Sequence, residues 1–479
     1  MLTIGHVLKA LSDLDGDNVL MSKSIADVVI DSRKVSNDSL FVALTDGKED
    51  GHNYVRHAFD SGAVAVIVDR VDLSGFAYLD LTDVNLLREQ IKNVTLPVCL
   101  LVTDTLQALQ DFARYWRDHL EVNVVGITGS IGKTTTKELT ASVLSKRFVT
   151  LKSEGNFNNE IGLPLSVLGL NNKHEFAVLE MGFYKKGEID FLCGIAKPQI
   201  GVITNVYPVH VERAGSLENI VAGKAELVQA LPAVPHGTAI LNADESLVMT
   251  MADLTDAKVF TYGLNTEADL WASNIHSNGL QGIKFQLHYR DEILHVRVPL
   301  LGRHSVHTAL RAAAVGLVAG LSWQEILEGL QAQDGQAQLR LYAVEGPRGS
   351  VIIDDSYNAS PESTIAALNL LDDLVDVRRI AVLGDMLELG SFEYQGHVSV
   401  GARARDVVDL LITVGDLGSL IAKGAIEAGM SQKAIVQCQD RKHALEYLAT
   451  YTDDRDVILI KGSRSLGLDK LVAELEYAA

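Results

Sequence analysis

The feature that most constrains this chain is an apolar, β-branched run that leads through a glycine-rich turn into a helix. The run Val122 to Thr128 precedes residues 129–132, which are small apart from Ile131, and a helix is predicted to begin near Lys133. Small residues let successive backbone N–H groups point at one anion, and the start of a helix adds its positive end. This order of elements is typical of a parallel α/β sheet and predicts a phosphate-binding loop.

Six residues of this loop are predicted to contact nucleotide. Lys133 supplies a point charge, and the Thr134 hydroxyl can ligate Mg²⁺. The strict Walker spacing is not kept, because it would need a glycine at the position of Ile127. The alternative is a glycine-rich turn followed by an exposed lysine. The predicted nucleotide-binding residues are Gly129, Ser130, Gly132, Lys133, Thr134 and Thr135.

A length of 479 residues predicts about three domains of roughly 150 residues each. We expect an α/β protein with a small α/β N-terminal domain over residues 1–100. Residues 101–333 are predicted to form a central mononucleotide-binding domain that contains the phosphate loop and a mostly parallel sheet. Residues 334–479 are predicted to form a C-terminal, Rossmann-like, doubly wound domain.

Apolar runs locate the strands of the two larger domains. Between residues 239 and 300 the runs become shorter and alternate, as in 283–289 and 293–298, which predicts antiparallel strands added to the central sheet. Five runs separated by helical segments predict the C-terminal strands 351–353, 380–383, 410–414, 434–437 and 457–460.

Charge and cysteine content exclude several classes of protein. Lys and Arg total 42 against 62 Asp and Glu, and the net charge of −20 disfavours nucleic-acid binding because it repels a polyanion. The dispersed Cys99, Cys193 and Cys438 match neither a disulfide framework nor a zinc motif, so we expect reduced thiols. The N-terminus has no signal-peptide pattern, and no apolar run reaches the roughly 18 residues of a membrane span. These observations predict a cytoplasmic protein.

Segments spread over nearly the whole chain carry a family resemblance. Segment 155–164 reads GNFNNEIGLP, segment 354–361 reads DDSYNASP, and segment 383–390 reads LGDMLELG. Together with the phosphate loop they resemble the Mur ligase family of peptidoglycan synthesis. The two C-terminal segments are similar to those of its D-alanyl-D-alanine-adding branch. Shorter matches lie at 31–33, 50–52 and 461–464.

The resemblance implies an ATP-dependent ligase that forms a C–N bond between an acid and a D-amino acid. It would add D-alanyl-D-alanine to UDP-MurNAc-tripeptide through an acyl phosphate. This step belongs to peptidoglycan precursor synthesis, and so to cell wall biogenesis, cell shape and cell division. The third residue of the tripeptide can be lysine or diaminopimelate. ATP and two Mg²⁺ ions are the implied cofactors, and we expect a monomer.

Two other interpretations of the residues stay open. One is another amide ligase of the same superfamily, such as the diaminopimelate- or lysine-adding enzyme, a folylpolyglutamate-type enzyme, or an amidating relative with a glutaminase partner. The other is a non-catalytic phosphate-loop protein that uses ATP binding as a switch. A second metal site favours the enzyme, since a switch has less need of one.

The resemblance also implies a metal site made by Thr134, Glu180, His210 and Lys224. Glu180 follows the apolar run 176–179, at a strand end where ligands of open α/β sheets collect, although helix caps and surface acids are also common there. A lone histidine is more often structural than a ligand, and a lysine on an amphipathic helix is more often solvated. In the family this lysine is carbamylated by CO₂, which gives Mg²⁺ an oxygen ligand. The predicted catalytic residues are Lys133, Lys224 and His210.

The resemblance places three more residues around the nucleotide. They are His304 at a helix start, Arg340 at the start of the C-terminal domain, and Asp355 after a C-terminal strand. Ser305 and Thr308 stand where relatives commonly have asparagines. The alternative for Asp355 is a polar turn.

Substrate contacts are implied at both ends of the chain. For Arg33 the alternative is a surface ion pair, and for Asn358 it is an Asx cap. No residue is singled out as the base that removes the amine proton. The predicted substrate-binding residues are Ser32, Arg33, Asn156, Asn158, Asn159, Tyr357 and Asn358.

Overall fold

The computed structural model describes residues 1–14, 20–45, 47, 49–70, 75–209, 211–332 and 341–477. These residues form three β-sheets with helices between the strands. The chain folds into two compact units. The first comprises Met1–Gly126, Phe148–Gly182 and Glu188–Ile200, and the second comprises Ile127–Arg147, Phe183–Gly187 and Gly201–Ala479.

The N-terminal part of the chain forms the first sheet. Its elements are α1 (Ile4–Ser12), β1 (Val28–Val29), β2 (Leu40–Val42), α2 (Val55–Asp60), β3 (Ala65–Val68), β4 (Ala77–Asp80), α3 (Val84–Gln90), β5 (Val98–Leu101) and α4 (Thr105–Asp118). The strands pair in parallel in the order β1-β2-β3-β5-β4. Every residue of β3 is buried, as expected of a strand covered on both faces. The small α/β fold predicted for this region is confirmed.

The central part of the chain forms the second sheet, in the order β14-β13-β12-β11-β10-β9-β6-β8-β7. Its strands are β6 (Asn123–Thr128), β7 (Thr150–Lys152), β8 (Phe176–Glu180), β9 (Ile200–Ile203), β10 (Thr238–Asn242), β11 (Lys258–Gly263), β12 (Leu270–Ser277), β13 (Ile283–Tyr289) and β14 (Glu292–Val298). Its helices are α5 (Lys133–Leu144), α6 (Gly162–Leu168), α7 (Glu188–Ala196), α8 (Val211–Ala214), α9 (Leu217–Gln229), α10 (Ser246–Met249), α11 (Ser305–Val318) and α12 (Trp323–Gln331).

The direction of the strands corrects one prediction. The pairs β12–β13 and β13–β14 are antiparallel, so the predicted direction is right for 283–289 and 293–298. It is wrong for β10 and β11, because β10 pairs in parallel with β11, and β11 pairs in parallel with β12. The physical reason at β10 is the intervening α10, which returns the chain to the edge of the sheet where β10 began.

The C-terminal part forms the third sheet, in the order β15-β16-β20-β17-β18-β19. Side chains alternate between two cores, with Ile353 and Leu383 on one face and Ile352 and Val382 on the other. Both faces are therefore covered, and the doubly wound fold is confirmed. Its elements are β15 (Tyr342–Glu345), β16 (Val351–Asp355), α13 (Pro361–Asp372), β17 (Arg378–Gly384), α14 (Glu393–Val407), β18 (Leu410–Val414), α15 (Gly418–Glu427), β19 (Ile435–Cys438), α16 (Arg441–Tyr451), β20 (Asp456–Lys461) and α17 (Leu468–Tyr477).

Two further sequence expectations concern cysteines and membrane spans. All three cysteines are buried and free, and burial raises the pKa of Cys99 to about 11. As predicted, they form no disulfide. Among the helices in the described ranges, none has both the length and the apolar character needed to cross a membrane.

Candidate functional site

Two glycines give the phosphate loop between β6 and α5 its shape. Gly129 has a φ of +144°, and a Cβ there would lie 1.8 Å from the Thr204 Oγ1 atom. Gly132 has a φ of +81° and is the N-cap residue of α5, so the helix begins at Lys133 as predicted. Both positions require glycine, Gly129 because of space and Gly132 because of its left-handed backbone.

The segment after β9 holds this loop by direct hydrogen bonds. The Asn205 side chain accepts a hydrogen bond from the Ile131 N–H (2.8 Å) and donates one to the Ile131 carbonyl (3.1 Å). The Thr204 hydroxyl donates to the same carbonyl at 2.7 Å. On the other side of the loop, the Ser130 hydroxyl donates to the Tyr207 carbonyl (3.0 Å) and accepts from the Tyr207 N–H (2.9 Å). These contacts fix the loop before any ligand binds.

The predicted ligand groups of the loop lie at the start of α5. The Lys133 ammonium donates to the carbonyls of Gly129 (2.9 Å) and Ser130 (3.3 Å), so its charge lies over the loop. Thr134 and Thr135 occupy the first turn of α5, where N–H groups have no partner within the helix. This is the arrangement that binds phosphate in other strand–loop–helix units.

Lys224 lies on α9 and is a buried lysine, not a solvated one. The residue is 2% exposed, and its Nζ atom is 5.0 Å from the centre of the Phe183 ring. Burial, and then the charge of Lys133, hold the pKa of Lys224 well below its ordinary value. Gly223 makes room for the ring, because a Cβ there would lie 2.0 Å from the Phe183 Cε2 atom.

The segment that carries Phe183 is attached to α9 a second time. The Gly187 N–H donates to Oε1 of the buried Glu226 at 2.7 Å. Glu226 lies two residues after Lys224 on α9. The buried lysine, the aromatic ring and the segment 183–187 therefore form one packed group in the second unit.

Glu180 ends β8 in the first unit, and its carboxylate is held by Asn158. The Asn158 Nδ2 group donates to Glu180 Oε1 at 2.9 Å, and the Asn158 carbonyl accepts from the Gly182 N–H at 2.7 Å. The Glu180 N–H donates to the Ser153 hydroxyl at 3.2 Å. Asn158, predicted to bind substrate, thus contacts a predicted metal ligand.

The predicted metal donors suit one kind of ion. Within the described ranges, no three His, Cys, Asp or Glu side chains cluster as a metal site. One buried carboxylate, Glu180, and one hydroxyl, Thr134, are hard oxygen donors. Donors of this kind suit Mg²⁺, which keeps several waters and phosphate oxygens as ligands. His210 lies outside the described residues.

On the nucleotide side, His304 is the N-cap residue of α11. Its ring lies over Gly302, where a Cβ would be 2.6 Å from the ring Cε1 atom. Surrounding protein, and then the nearby His307, Lys461 and Arg311, lower the pKa of His304 to about 4. The ring is therefore neutral near pH 7. The residue is exposed to solvent.

The two residues that depart from the family pattern on α11 are both buried. The Ser305 hydroxyl donates to the Leu301 carbonyl at 2.6 Å, which ties the first residue of α11 to the segment before it. Thr308 is buried one turn later. Arg340, the other nucleotide contact predicted near this region, lies outside the described residues.

Asp355 and Asn358 at the end of β16 share a buried lysine that the sequence did not reveal. Lys461 Nζ lies 2.6 Å from Asp355 Oδ2 and donates to the Asn358 carbonyl at 3.0 Å. Tyr357 lies under a guanidinium, with Arg464 Cζ 5.4 Å from its ring centre. The predicted polar turn therefore carries charge, and the predicted ligand contacts remain predictions.

Arg33 in the N-terminal part forms a surface ion pair. Its Nε and Nη2 atoms donate to Asp31 at 2.9 and 2.8 Å, and its side chain is 85% exposed. The hydrogen bonds from Arg33 lower the pKa of Asp31 to about 2. Ser32 is buried beside it. This geometry matches the alternative raised for Arg33, and the predicted substrate contact stays a prediction.

The motif Asp50-Gly51-His52 is built around a buried histidine. His52 Nδ1 is 2.7 Å from Asp50 Oδ1, and the Asp69 N–H donates to His52 Nε2 at 3.2 Å. Asp50 also pairs with Arg70, which holds the pKa of Asp50 below its usual range. A pocket adjoins this group, lined by Thr45, Gly47, Glu49, Asp50, Asn53 and Tyr54.

The other two asparagines of segment 155–164 differ in their contacts. Asn159 Oδ1 accepts from the Gly162 N–H at 2.9 Å, which satisfies a donor at the start of α6. Asn156 is exposed. Neither observation tests the substrate contacts predicted for them.

Three family models match consecutive parts of the chain. The model described as "Mur ligase family, catalytic domain" matches residues 24–117, "Mur ligase middle domain" matches residues 127–316, and "Mur ligase, glutamate ligase domain" matches residues 339–464. The chain belongs to the Mur ligase family. The three α/β domains of a Mur ligase thus follow one another along it.

This Mur ligase is similar to curated relatives and to solved structures over nearly its full length. A protein of Bacillus subtilis (strain 168) named UDP-N-acetylmuramoyl-tripeptide–D-alanyl-D-alanine ligase is 35% identical, over 94% of this chain and 92% of the relative. MurF from Acinetobacter baumannii has a TM-score of 0.82 at 28% identity, covering 99% of this chain and 98% of that one. MurF ligase from Thermotoga maritima in complex with ADP has a TM-score of 0.75 at 26% identity, covering 94% and 97%. The resemblance stated from the sequence motifs is confirmed.

In this Mur ligase the predicted site residues fall into separate groups. In the second unit, the phosphate loop and Lys224 are near enough for the charge of Lys133 to act on Lys224. In the first unit, Glu180 and Asn158 are in contact. Sequence reasoning missed the loop contacts of Thr204 and Asn205.

Proposed function

We propose that this Mur ligase joins D-alanyl-D-alanine to UDP-MurNAc-tripeptide with ATP, in cell wall precursor synthesis. The observation that carries the proposal is a braced phosphate loop, with Lys133, in the same unit as the buried Lys224. The name of the full-length Bacillus subtilis relative and the ADP complex of the Thermotoga maritima enzyme support it.

The reaction has two steps. A carboxylate oxygen of the tripeptide attacks the γ-phosphorus of ATP, the bond from that phosphorus to the bridging oxygen breaks, and ADP leaves. The amine nitrogen of D-alanyl-D-alanine then attacks the acyl carbon, the carbon–oxygen bond to phosphate breaks, and the nitrogen loses a proton. The first step brings two anions together, so the protein must supply positive charge and hold them in line.

The phosphate loop meets this demand. Lys133 lies over the loop carbonyls, and the N–H groups at the start of α5 would face the phosphate oxygens of a bound nucleotide. The six predicted residues from Gly129 to Thr135 would bind the phosphates. His304, Arg340 and Asp355 would surround the rest of the nucleotide. The neutral His304 ring can both donate and accept a hydrogen bond.

Thr134, Glu180 and His210 would hold Mg²⁺, and the oxygen donors of Thr134 and Glu180 fit it. When bound, Mg²⁺ supplies charge neutralisation for the triphosphate. Asn158 would keep the Glu180 carboxylate in one orientation, because its hydrogen bond occupies one carboxylate oxygen.

Lys224 is proposed to be carbamylated. Its neutral amine nitrogen would attack the carbon of CO₂ and lose a proton, which leaves an anionic carbamate. Burial favours the neutral amine needed for that attack. The carbamate would give the site an additional oxygen ligand for metal.

The remaining assignments complete the proposal. The UDP end would bind the N-terminal domain through Ser32 and Arg33, and the tripeptide would meet Asn156, Asn158 and Asn159. Tyr357 and Asn358 would contact the dipeptide. The domain boundaries near residues 100 and 333, a monomeric state and a cytoplasmic location belong to the same proposal.

The test is phosphate release from ATP in the presence of UDP-MurNAc-tripeptide. The acceptor is D-alanyl-D-alanine, a single diamino acid or glutamate. We expect phosphate release that depends on D-alanyl-D-alanine. Lys133→Ala should lose this release, and the matched control Lys173→Ala, at an exposed turn residue, should keep it. Lys224→Ala, assayed with added bicarbonate, tests the carbamate. Full activity in this variant would contradict the proposal that Lys224 is carbamylated.

The same assay separates the alternatives. Release with a diamino acid or glutamate alone would identify another amide ligase of the superfamily. Nucleotide binding without release under any acceptor would identify an ATP-binding switch.

A further inference from the structure

Arg311 is a buried arginine that contacts the helix of the phosphate loop. It lies on α11, is 4% exposed, and its Nη1 atom donates to Thr136 Oγ1 at 2.7 Å. Thr136 is itself fully buried on α5, and its N–H donates to the Gly132 carbonyl at 2.9 Å. The guanidinium thus holds the turn on which the loop ends.

The same guanidinium lies directly behind the loop backbone. A Cβ added to Gly132 would be 3.3 Å from Arg311 Nη1. The guanidinium therefore lies close to the backbone of Gly132, at the proposed phosphate site. Lys133, the next residue, lies over the front of the loop with its ammonium on the loop carbonyls.

Among the described residues, no carboxylate forms a direct ion pair with Arg311. Within the described ranges, Arg311 forms no ion pair and its buried Nε atom has no hydrogen-bond partner. Its other near neighbour is the ring of Tyr262, 5.8 Å from Cζ to ring centre. Lys137, the residue after Thr136 on α5, pairs with Glu138 at 3.1 Å. A buried cation without an anion is unfavourable, and an anion bound nearby relieves that cost.

We propose that Arg311 is a positioning residue for the nucleotide phosphates: it anchors the turn at Gly132 through Thr136, and the phosphate anions balance its buried charge. The inference rests on the proposed function, because it takes the loop ligand to be a nucleotide. Arg311 touches the loop and not the reacting atoms. Its effect should therefore appear in nucleotide affinity and in KM for ATP, with a smaller change in kcat.

A second buried arginine provides a matched control. Arg117 on α4 is equally buried, but its guanidinium donates to the carbonyls of Ala196, Leu120 and Val122 at 2.7 to 2.9 Å. Every one of its nitrogens therefore has a backbone partner, and its role is structural. Replacing it should destabilise the protein without changing nucleotide affinity.

The experiment measures ADP binding by calorimetry and thermal unfolding with and without ADP. For Arg311→Met, we expect the Kd for ADP to rise about tenfold or more, the loss expected when a hydrogen bond made by a charged group is removed. The ligand-free melting temperature should fall less than in Arg117→Met, because a buried unpaired charge is removed. Arg311→Lys should keep part of the affinity, and Thr136→Val should weaken ADP binding without abolishing it.

The outcomes separate this inference from the proposed function. If the wild-type protein does not bind ADP, the proposed function and this inference both fall. If it binds ADP and Arg311→Met binds equally well, this inference alone falls. If Arg311→Met does not fold, Arg311→Lys decides, since the inference requires ADP to stabilise that variant and absence of stabilisation would overturn it.

Discussion

Gly223 and Phe183 fit together on the face of α9 that carries the buried lysine. The Phe183 ring occupies the space that a side chain at 223 would fill, and from there it lies 5.0 Å from Lys224 Nζ. The missing side chain therefore determines the surroundings of its neighbour along the chain. The buried amine of Lys224 has a lower pKa than a solvated lysine, because desolvation favours its neutral form.

Gly223→Ala should displace Phe183 and disturb Lys224. The added Cβ would lie 2.0 Å from the ring, and overpacking of this kind costs about 2 kcal/mol of unfolding free energy. Ligase activity should fall more than stability explains. Chemical denaturation and the phosphate-release assay measure the two effects.

Gly194→Ala is the control, because Gly194 is an exposed residue of α7 with nothing within 4 Å of an added Cβ. Its stability should be unchanged or raised by up to about 1 kcal/mol. Adding Phe183→Leu to Gly223→Ala should restore stability. Wild-type activity in Gly223→Ala would contradict the coupling.

Asn158→Ala should raise the Mg²⁺ concentration required for half-maximal activity. It removes the hydrogen bond to Glu180 Oε1, and loss of such a partner costs about tenfold or more in metal affinity. In the absence of metal, Asn158→Asp should destabilise the protein more than Asn158→Ala does, because it places a second carboxylate beside Glu180. The exposed Lys173→Ala is the control. An unchanged Mg²⁺ requirement in Asn158→Ala would argue that Glu180 does not bind metal.

Asp355→Ala should lower the unfolding free energy by about 3 kcal/mol, because it leaves the buried Lys461 without its carboxylate. The double variant Asp355→Ala with Lys461→Met should recover part of the loss. Glu474→Ala breaks a half-exposed pair with Arg441 and should cost less than about 1 kcal/mol. A double-mutant cycle from urea unfolding gives the coupling, and a coupling near zero would refute a buried pair that stabilises the fold.

Much of the fold could be predicted because its signals are local. The run before Gly129 and four of the five C-terminal runs mark strands whose residues are mostly buried, and the fifth, at 434–437, forms a partly exposed strand. Strand direction at β10 and β11 depends on where the intervening chain crosses the sheet, which periodicity does not record. The edge strand β15 was also missed, because its four residues are only partly buried and carry no continuous apolar run.

The candidate site divides in the same way. Gly129, Gly132 and Lys133 could be found because a phosphate loop is continuous in sequence. Burial of Lys224 could not, since it depends on a ring forty-one positions earlier along the chain. Arg311 and Asn205 were missed because each acts on a loop distant in sequence, and nothing beside them marks the contact.

The hydrogen bonds from Thr204 and Asn205 to Ile131 affect the free energy of ligand binding at the loop. Both backbone groups of Ile131 are engaged within the protein, so the loop loses its conformational freedom when the chain folds. A ligand arriving there has little backbone entropy left to remove. Affinity at the loop then depends mainly on how well the ligand's charge and shape match a surface that already exists.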